Sequence, residues 1–273
     1  MFLYVCSTTK IILKISEGLK ITIVTVCKNS DDFLEETISS VIKQTYQNIQ
    51  YIVIDGNSTD ATVNIIKQYS SNIDYWVSER DNGMYDAINK GLKLATGDYI
   101  LILNSDDVLA NNDTIKNAVN LIGNDRLDYY YGNLIKLKDG KNKKVKLFPV
   151  TFKQLLFSTH GTFVPHPCFF ISREFNKELA GYDLTYQYAS DYDYILRALF
   201  AAGRKGKYLN MYISKFRIHE NSITATGKIN FERKNILRQH GYYQHSYLSR
   251  VFFYYTLWIY YKLLNAGKSY RGT

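Results

Sequence analysis

The residues of this chain best placed to do chemistry close the run Ile100-Leu101-Ile102-Leu103-Asn104-Ser105-Asp106-Asp107. A short apolar run of this kind reads as a buried strand of the parallel type. In open α/β sheets, ligands bind beyond the carboxyl ends of such strands. Two adjacent carboxylates repel each other unless a positive charge sits between or beside them. A divalent cation is the simplest such charge, because hard cations take oxygen ligands. The same pair also reads as a solvated turn that caps the next helix.

Three further positions invite the same double reading. Asp55 stands where the apolar run 49–54 meets a turn. A carboxylate there can accept from the N–H of a nucleotide base, or it can close an Asx turn. Asp191 and Asp193 lie on an expected helix, two positions apart, so they point to opposite sides and only one can face a crevice. Among Tyr186, Tyr188, Tyr192 and Tyr194, that one is either a general base or a solvated helix-face acid. His219 follows an extended stretch and is either structural or the nitrogen ligand of an Asp-based metal site.

The elements that must position these residues alternate. Strands are expected at 21–27, 49–54, 73–78 and 98–103, with helices at 31–44, 58–69 and 84–95 between them. Strand and helix at this spacing argue for a parallel sheet with crossover helices. Each strand then ends in polar residues: Lys28-Asn29, Asp55, Glu79-Arg80-Asp81, and Asn104 to Asp107. Parallel strands gather all of these on one edge. Neither the glycine-rich dinucleotide fingerprint nor the P-loop follows the first strand, where Lys28-Asn29-Ser30 stands. Beyond Asp107 the pattern loosens. It gives a helix at 112–122, strands over 127–146 around Asp139-Gly140, and a short helix at 151–157. An extended Pro165-His166-Pro167, a strand at 168–172, a helix at 188–202 and an extended 207–218 follow.

Composition narrows the class. With 273 residues and 46% hydrophobic content the chain can bury a sizeable core. Three widely spaced cysteines fit a reducing cytosol and no cysteine metal site. No apolar run reaches the roughly 18 residues that a spanning helix needs, and residues 1–19 lack a signal-peptide pattern. The net charge of +9 is uneven, with basic runs at 136–146 and from Lys228 onwards. Such patches suit phosphate-rich partners. Residues 251–264 (VFFYYTLWIYYKLL) are too few to cross a bilayer but rich in Tyr and Trp, and Arg250, Lys262 and Lys268 flank them. A helix of that character lies in an anionic membrane interface, or it packs on the domain or a homodimer partner.

Read together, ITIVTVCKN from Ile21, DGNSTD from Asp55, DNGMYDAINKGLKLATGDYI from Asp81, LNSDD and RIHENSIT resemble the family-2 glycosyltransferases of the GT-A fold. The resemblance is strongest to the branch that builds bacterial surface polysaccharides. It implies an α/β fold with a Rossmann-like, mostly parallel central sheet flanked by helices. An N-terminal extension (1–20) would precede a glycosyltransferase domain (21–226, with a nucleotide-sugar half at 21–107 and an acceptor half at 108–226). A basic aromatic helical region (227–273) would follow.

The resemblance also implies an inverting transfer from a nucleotide-sugar, UDP-linked, to a saccharide or polyprenyl-linked acceptor in capsule, O-antigen or exopolysaccharide synthesis. The protein would be peripheral on the inner face of the bacterial plasma membrane. By position, Asp55 corresponds to the base-binding acid, with Thr25, Lys28 and Asn29 lining that pocket, and Asp81, Tyr85 and Lys90 fall in the same donor-binding set. Asp106 corresponds to the acid near ribose and metal. Asp107 corresponds to the direct ligand of Mg²⁺ or Mn²⁺, with His219 as a late metal or diphosphate contact. Asp191 corresponds to the catalytic base. Two departures stand out: Asn104 and Ser190 occupy positions where the family often has Asp and Glu. A sugar-phosphate nucleotidyltransferase is the alternative enzyme class. A basic RNA-binding protein is the alternative without catalysis, and it leaves the acid-bearing loops unexplained.

Overall fold

The computed structural model describes residues 18–149, 164–219 and 229–265. The N-terminal extension before residue 18, the short helix expected at 151–157 and the stretch 220–224 of RIHENSIT lie outside those residues.

Four strands form the parallel centre of the sheet: β1 (Ile21–Cys27), β2 (Ile49–Asp55), β3 (Tyr75–Ser78) and β4 (Tyr99–Ile102). Every residue of β1 and β4 is buried. That explains why they read as unbroken apolar runs, since helices cover a parallel sheet on both faces. Beyond β4 the sheet becomes mixed, with strands of both senses. The strands β5 (Val108–Leu109), β6 (Tyr129–Lys138), β7 (Lys141–Val145), β8 (Phe169–Ser172) and β9 (Gly206–Arg217) complete one nine-stranded sheet. Its order is β3-β2-β1-β4-β8-β6-β9-β5, with β7 on β6. β8 runs antiparallel to β4 and β6, which brings the second half of the chain against the carboxyl end of the first.

Helices α1 (Leu34–Ile42), α2 (Thr62–Gln68) and α3 (Met84–Leu94) connect the parallel strands. α3 buries Tyr85, Ala87, Ile88, Gly91 and Leu92, a spacing that lays one helix face on the sheet. Gly91 permits the close approach: a Cβ there would stand 2.3 Å from Val24 Cγ1 of β1. Helix α4 (Thr114–Ile122) follows β5, α5 (Arg173–Leu179) follows β8, and α6 (Ser190–Phe200) precedes β9. Two helices close the described chain, α7 (Ile229–Gln239) and α8 (Tyr247–Asn265), joined by a 3-10 turn at Tyr242–Gln244.

Two expectations shift. The strand expected from residue 73 begins at Tyr75, because Ser70–Asn72 form a 3-10 turn first. The segment expected to be extended across Pro165-His166-Pro167 instead makes a 3-10 turn, His166–Cys168, with only Pro165 extended. Proline at a first helical position needs no N–H partner and has its φ already set, so Pro167 suits the tighter geometry.

Gly97 gives a test of the packing at the start of β4. A Cβ at that position would meet Thr22 N at 2.6 Å and Lys20 O at 2.8 Å, both backbone atoms. Gly97→Ala is expected to lower stability by about 1–3 kcal/mol. A urea midpoint that stays at the wild-type value would refute this packing.

Candidate active site

The loops after β1, β3 and β4 meet the segments 166, 188–191, 216–219 and 229 around one cleft of about 500 Å³. From the parallel half its wall takes Lys28, Asn29, Asp32, Phe33, Asp81, Tyr85, Asn104 and Asp106. From the rest of the chain come His166, Tyr188, Asp191, Phe216, His219 and Ile229.

The Asp-Asp pair divides. Asp106 opens on the cleft, and its Oδ2 lies 3.1 Å from His219 Nε2. Asp107, expected as the direct metal ligand, is fully buried and does not line the cleft. The chain turns here, Asp107 N–H donating to Asn104 O at 3.1 Å, and then enters β5 against β9. Successive side chains on that turn point to opposite sides. Asp107 Oδ1 accepts from Arg217 N–H at 3.1 Å, while its Oδ2 has no hydrogen-bond partner among the described residues. Burial, then the neighbouring Asp106 charge, push the Asp107 carboxyl well above the usual carboxylate range. Thr37 of α1 pins the turn by donating to Ser105 O and Asp107 O, both at 2.8 Å.

Asp55, expected against a base, is also buried and absent from the cleft wall. Its carboxylate is already engaged. It accepts from Ser58 N–H at 3.0 Å, from Ser58 Oγ and from Ser78 Oγ at 2.6 Å. The carboxylate on the wall beside it is that of Asp81. A Cβ at residue 56 would stand 2.4 Å from Asp81 Oδ2 and 3.3 Å from Lys28 Cδ, so Gly56 makes room for both side chains. Gly83 N–H donates to Asp81 Oδ1 at 2.9 Å. Thr25 lies in the core, where Tyr51 Oη donates to it at 3.2 Å, and it lines no part of the cleft. Lys90 also stands off the wall, paired with Glu79 at 2.8 Å. Lys28 and Asn29 line the cleft, Asn29 holding the left-handed φ of +48° that asparagine tolerates.

Asp191 faces the cleft from the first turn of α6. Tyr85 Oη donates to its Oδ1 at 3.1 Å, and His166 Nδ1 lies 3.4 Å from its Oδ2. Tyr85 stacks on Tyr182, which stacks on Tyr194 with ring centroids 4.3 Å apart. Burial and then the Asp191 charge raise the Tyr85 phenol well above its ordinary value, so it remains a donor. Asp193 points away and pairs with Arg197 at 2.7 Å and His240 at 3.1 Å. Both cysteines near the site are inert as nucleophiles. Burial and then the Asp55 charge raise Cys27, and burial pushes Cys168 up to about 12.

Among the described residues no group of three or more His, Cys, Asp or Glu side chains gathers around a common point. Asp106 and His219 supply two donors on one wall, and Asn104 Oδ1 nearby has no hydrogen-bond partner among the described residues. That set fits a divalent cation which takes its remaining ligands from a bound phosphate and from water. Sequence reasoning overlooked Asp32, Phe33, Phe216 and Ile229 as wall residues.

Residues 22–180 match the family model described as glycosyl transferase family 2. An uncharacterised glycosyltransferase of Mycobacterium tuberculosis is 33% identical over 184 residues, covering 65% of this chain and 68% of that protein. WfaP of Escherichia coli is a UDP-Glc:alpha-D-GlcNAc-diphosphoundecaprenol beta-1,3-glucosyltransferase. It is 26% identical over 239 residues, 86% of this chain and 92% of that one. A mannosyltransferase of Pyrobaculum calidifontis, solved with GDP-Man and Mn²⁺, shares the fold at a TM-score of 0.60 and 17% identity. That match covers 93% of this chain and 77% of that one.

The surroundings of Asp191 predict its titration. Burial would raise its carboxyl, but the hydrogen bond and charge of His166, with a smaller contribution from Arg233, hold it below the ordinary range. His166→Leu removes the first of these and leaves Tyr85, Tyr182 and Arg233 facing the group. The Asp191 carboxyl is then expected to titrate at higher pH. Carboxyl-carbon NMR of labelled protein, assigned with Asp191→Asn, measures this, and an unchanged or lower midpoint would contradict it.

Proposed function

The chain belongs to glycosyl transferase family 2, and from that premise we propose an inverting transfer of a sugar from a UDP-linked donor to a saccharide or lipid-linked acceptor. The observation that carries this reading is the meeting of Asp106 and His219 with Asp191 around one cleft. In the proposed pose the base of the donor lies between Lys28, Asn29 and Asp81. There the Asp81 carboxylate accepts the ring N–H of a uracil. The diphosphate lies toward Asp106 and His219, which would hold a Mg²⁺ or Mn²⁺ ion. When bound, such an ion neutralises charge on the departing diphosphate.

Asp191 takes the proton of an acceptor hydroxyl. The freed oxygen bonds to the anomeric carbon from the side opposite the diphosphate. The bond to the diphosphate breaks, and its electron pair leaves with the phosphate oxygen. A single displacement inverts the centre. Tyr85 and His166 hold Asp191 in place, and its depressed proton affinity keeps it ionised and ready as a base at neutral pH. WfaP, whose named donor is UDP-Glc and whose named acceptor is alpha-D-GlcNAc-diphosphoundecaprenol, supports the donor and acceptor classes. The Mn²⁺-bound mannosyltransferase supports the use of a metal.

A panel of UDP-, GDP- and dTDP-sugars tests this reading. A UDP-sugar is expected to raise the melting temperature and to be hydrolysed when Mg²⁺ or Mn²⁺ is present. Asp191→Asn is expected to keep the thermal shift and to lose roughly 100-fold or more in turnover. Asp106→Asn is expected to lose the metal-dependent part of the shift. Near wild-type turnover by Asp191→Asn would remove the assignment. Pyrophosphate release from a nucleoside triphosphate and a sugar phosphate would select a nucleotidyltransferase instead.

The acceptor class bears on where the protein works. Among the described residues no helix is long and apolar enough to cross a membrane. Yet α8 exposes Leu248, Phe252, Tyr255, Ile259 and Leu263, which fall on one helical face, and no acid occurs from Tyr247 to Asn265. We assign this face to the anionic inner surface of the bacterial plasma membrane, where a lipid-linked acceptor is displayed. Full-length protein is expected to sediment with vesicles containing anionic lipid. A variant with serine at 248, 252, 259 and 263 should stay in the supernatant, and equal sedimentation of both would refute the assignment.

A further inference from the structure

Helix α6, which carries Asp191, begins without a cap of its own. Ala189 precedes it and offers no side-chain acceptor. The Ser190 hydroxyl is buried and has no hydrogen-bond partner among the described residues. The loop just ahead of the helix is held instead from α7, more than 40 residues downstream. The Glu232 carboxylate takes the N–H groups of Gln187 at 2.8 Å, Tyr188 at 2.7 Å and Ala189 at 2.8 Å. An anion at this end also faces the positive pole of the helix.

Other contacts from the same segment bracket Asp191. Tyr186 Oη donates to Gln239 Oε1, His240 Nε2 lies 3.1 Å from Asp193 Oδ1, and the Arg233 guanidinium lies over the Tyr192 ring at 5.3 Å. Ile229, the first residue of α7, lines the cleft itself. The family match ends at residue 180, so this arrangement belongs to a part of the chain that the match does not reach.

We propose that α7 is part of the catalytic unit and that Glu232 is a positioning residue, fixing the backbone of 187–189 so that Asp191 and Tyr188 present themselves to the acceptor. Three convergent hydrogen bonds to a charged acceptor hold a loop more firmly than neutral ones would. The proposal rests on the glycosyltransferase reading above and adds a residue to it. It also gives the C-terminal region a task separate from lipid contact. Donor binding is expected to survive loss of this clamp, because Lys28, Asn29, Asp81 and Asp106 stand on the loops after β1, β3 and β4, whereas the bonds of Glu232 go to 187–189.

The test uses full-length Glu232→Ala and Glu232→Gln. UDP binding by calorimetry gives affinity and the number of competent sites. Hydrolysis of whichever UDP-sugar the wild-type protein cleaves gives kcat and KM. The expected result for Glu232→Ala is UDP affinity, site number and KM within about twofold of wild type. The kcat per UDP-binding site should fall by about tenfold to 100-fold, the scale of a misplaced catalytic group. Glu232→Gln keeps one acceptor oxygen and is expected to fall between the two, so it also serves should the alanine variant fold poorly. A kcat per site within twofold of wild type in both variants would overturn the proposal. So would a loss of activity that merely tracks the loss of UDP-binding sites, since that is the mark of a structural role. A wild-type protein that binds no UDP and cleaves no UDP-sugar would count against the glycosyltransferase reading itself, not against the clamp.

Discussion

Four carboxylates, those of Asp32, Asp81, Asp106 and Asp191, open on one cleft. Their mutual repulsion is the constraint that the rest of the site answers. Like charges gathered around one cleft repel each other unless hydrogen bonds or cations compensate. Asp81 is met by a backbone N–H, Asp106 by His219, and Asp191 by Tyr85 and His166. Each partner comes from a different element, so the carboxylates find these partners only when the sheet edge, α3 and the 3-10 turn at His166 are assembled together. An anionic diphosphate entering such a cleft adds to the negative charge. That is the physical reason a divalent cation belongs to the proposed reaction, beyond any likeness to other proteins.

The scaffold holds these partners still. α3 is pressed onto β1 at Gly91, which fixes Tyr85 near the carboxyl end of β1. Behind Tyr85 the stacked Tyr182 and Tyr194 leave its ring little room to turn. Arg217 ties the late segment to the early one. Its backbone N–H donates to Asp107, its guanidinium donates to Asp106 O and pairs with Glu36, and the same group lies 4.4 Å from the Phe33 ring centroid. Asp107 therefore serves the site from inside the fold. Buried and engaged by Arg217, it helps set the turn that turns Asp106 outward.

The parallel half of the fold was legible because β1 and β4 are buried along their whole length and its helices on one face, so hydropathy separates them. The convergence of polar loops on one edge followed from that alternation. What sequence did not convey was which of two neighbours turns outward. Asp106 and Asp107 are chemically identical, and the choice between them is made by Thr37 and by the pairing of β5 with β9, both remote in sequence. Asp55 poses a related choice. A carboxylate at a strand end suits a ligand and a turn equally, and Ser58 and Ser78 bond its oxygens. Gly56 then opens the space that Asp81 fills, a proximity that becomes visible only in three dimensions.

The C-terminal segment looked uniform in sequence, basic and aromatic throughout, yet its two helices meet different surroundings. α7 places Glu232, Gln239 and His240 against groups on α6 and the loop before it, so it is held by directional bonds. α8 has no acid and leaves its apolar face open, and apolar surface left in water is unfavourable by about 25 cal/mol per Å². The joint between them is stiff. Gly241 turns the chain at a φ of +77°, and the Arg250 guanidinium lies 5.2–5.9 Å from the rings of Tyr242, Tyr243 and Tyr247. A surface that covered α8 would be joined to α7 by this short path. That path ends at the three N–H groups just ahead of Asp191. The helix that seeks a cover and the carboxylate that would take the acceptor's proton are thus placed by one continuous piece of chain.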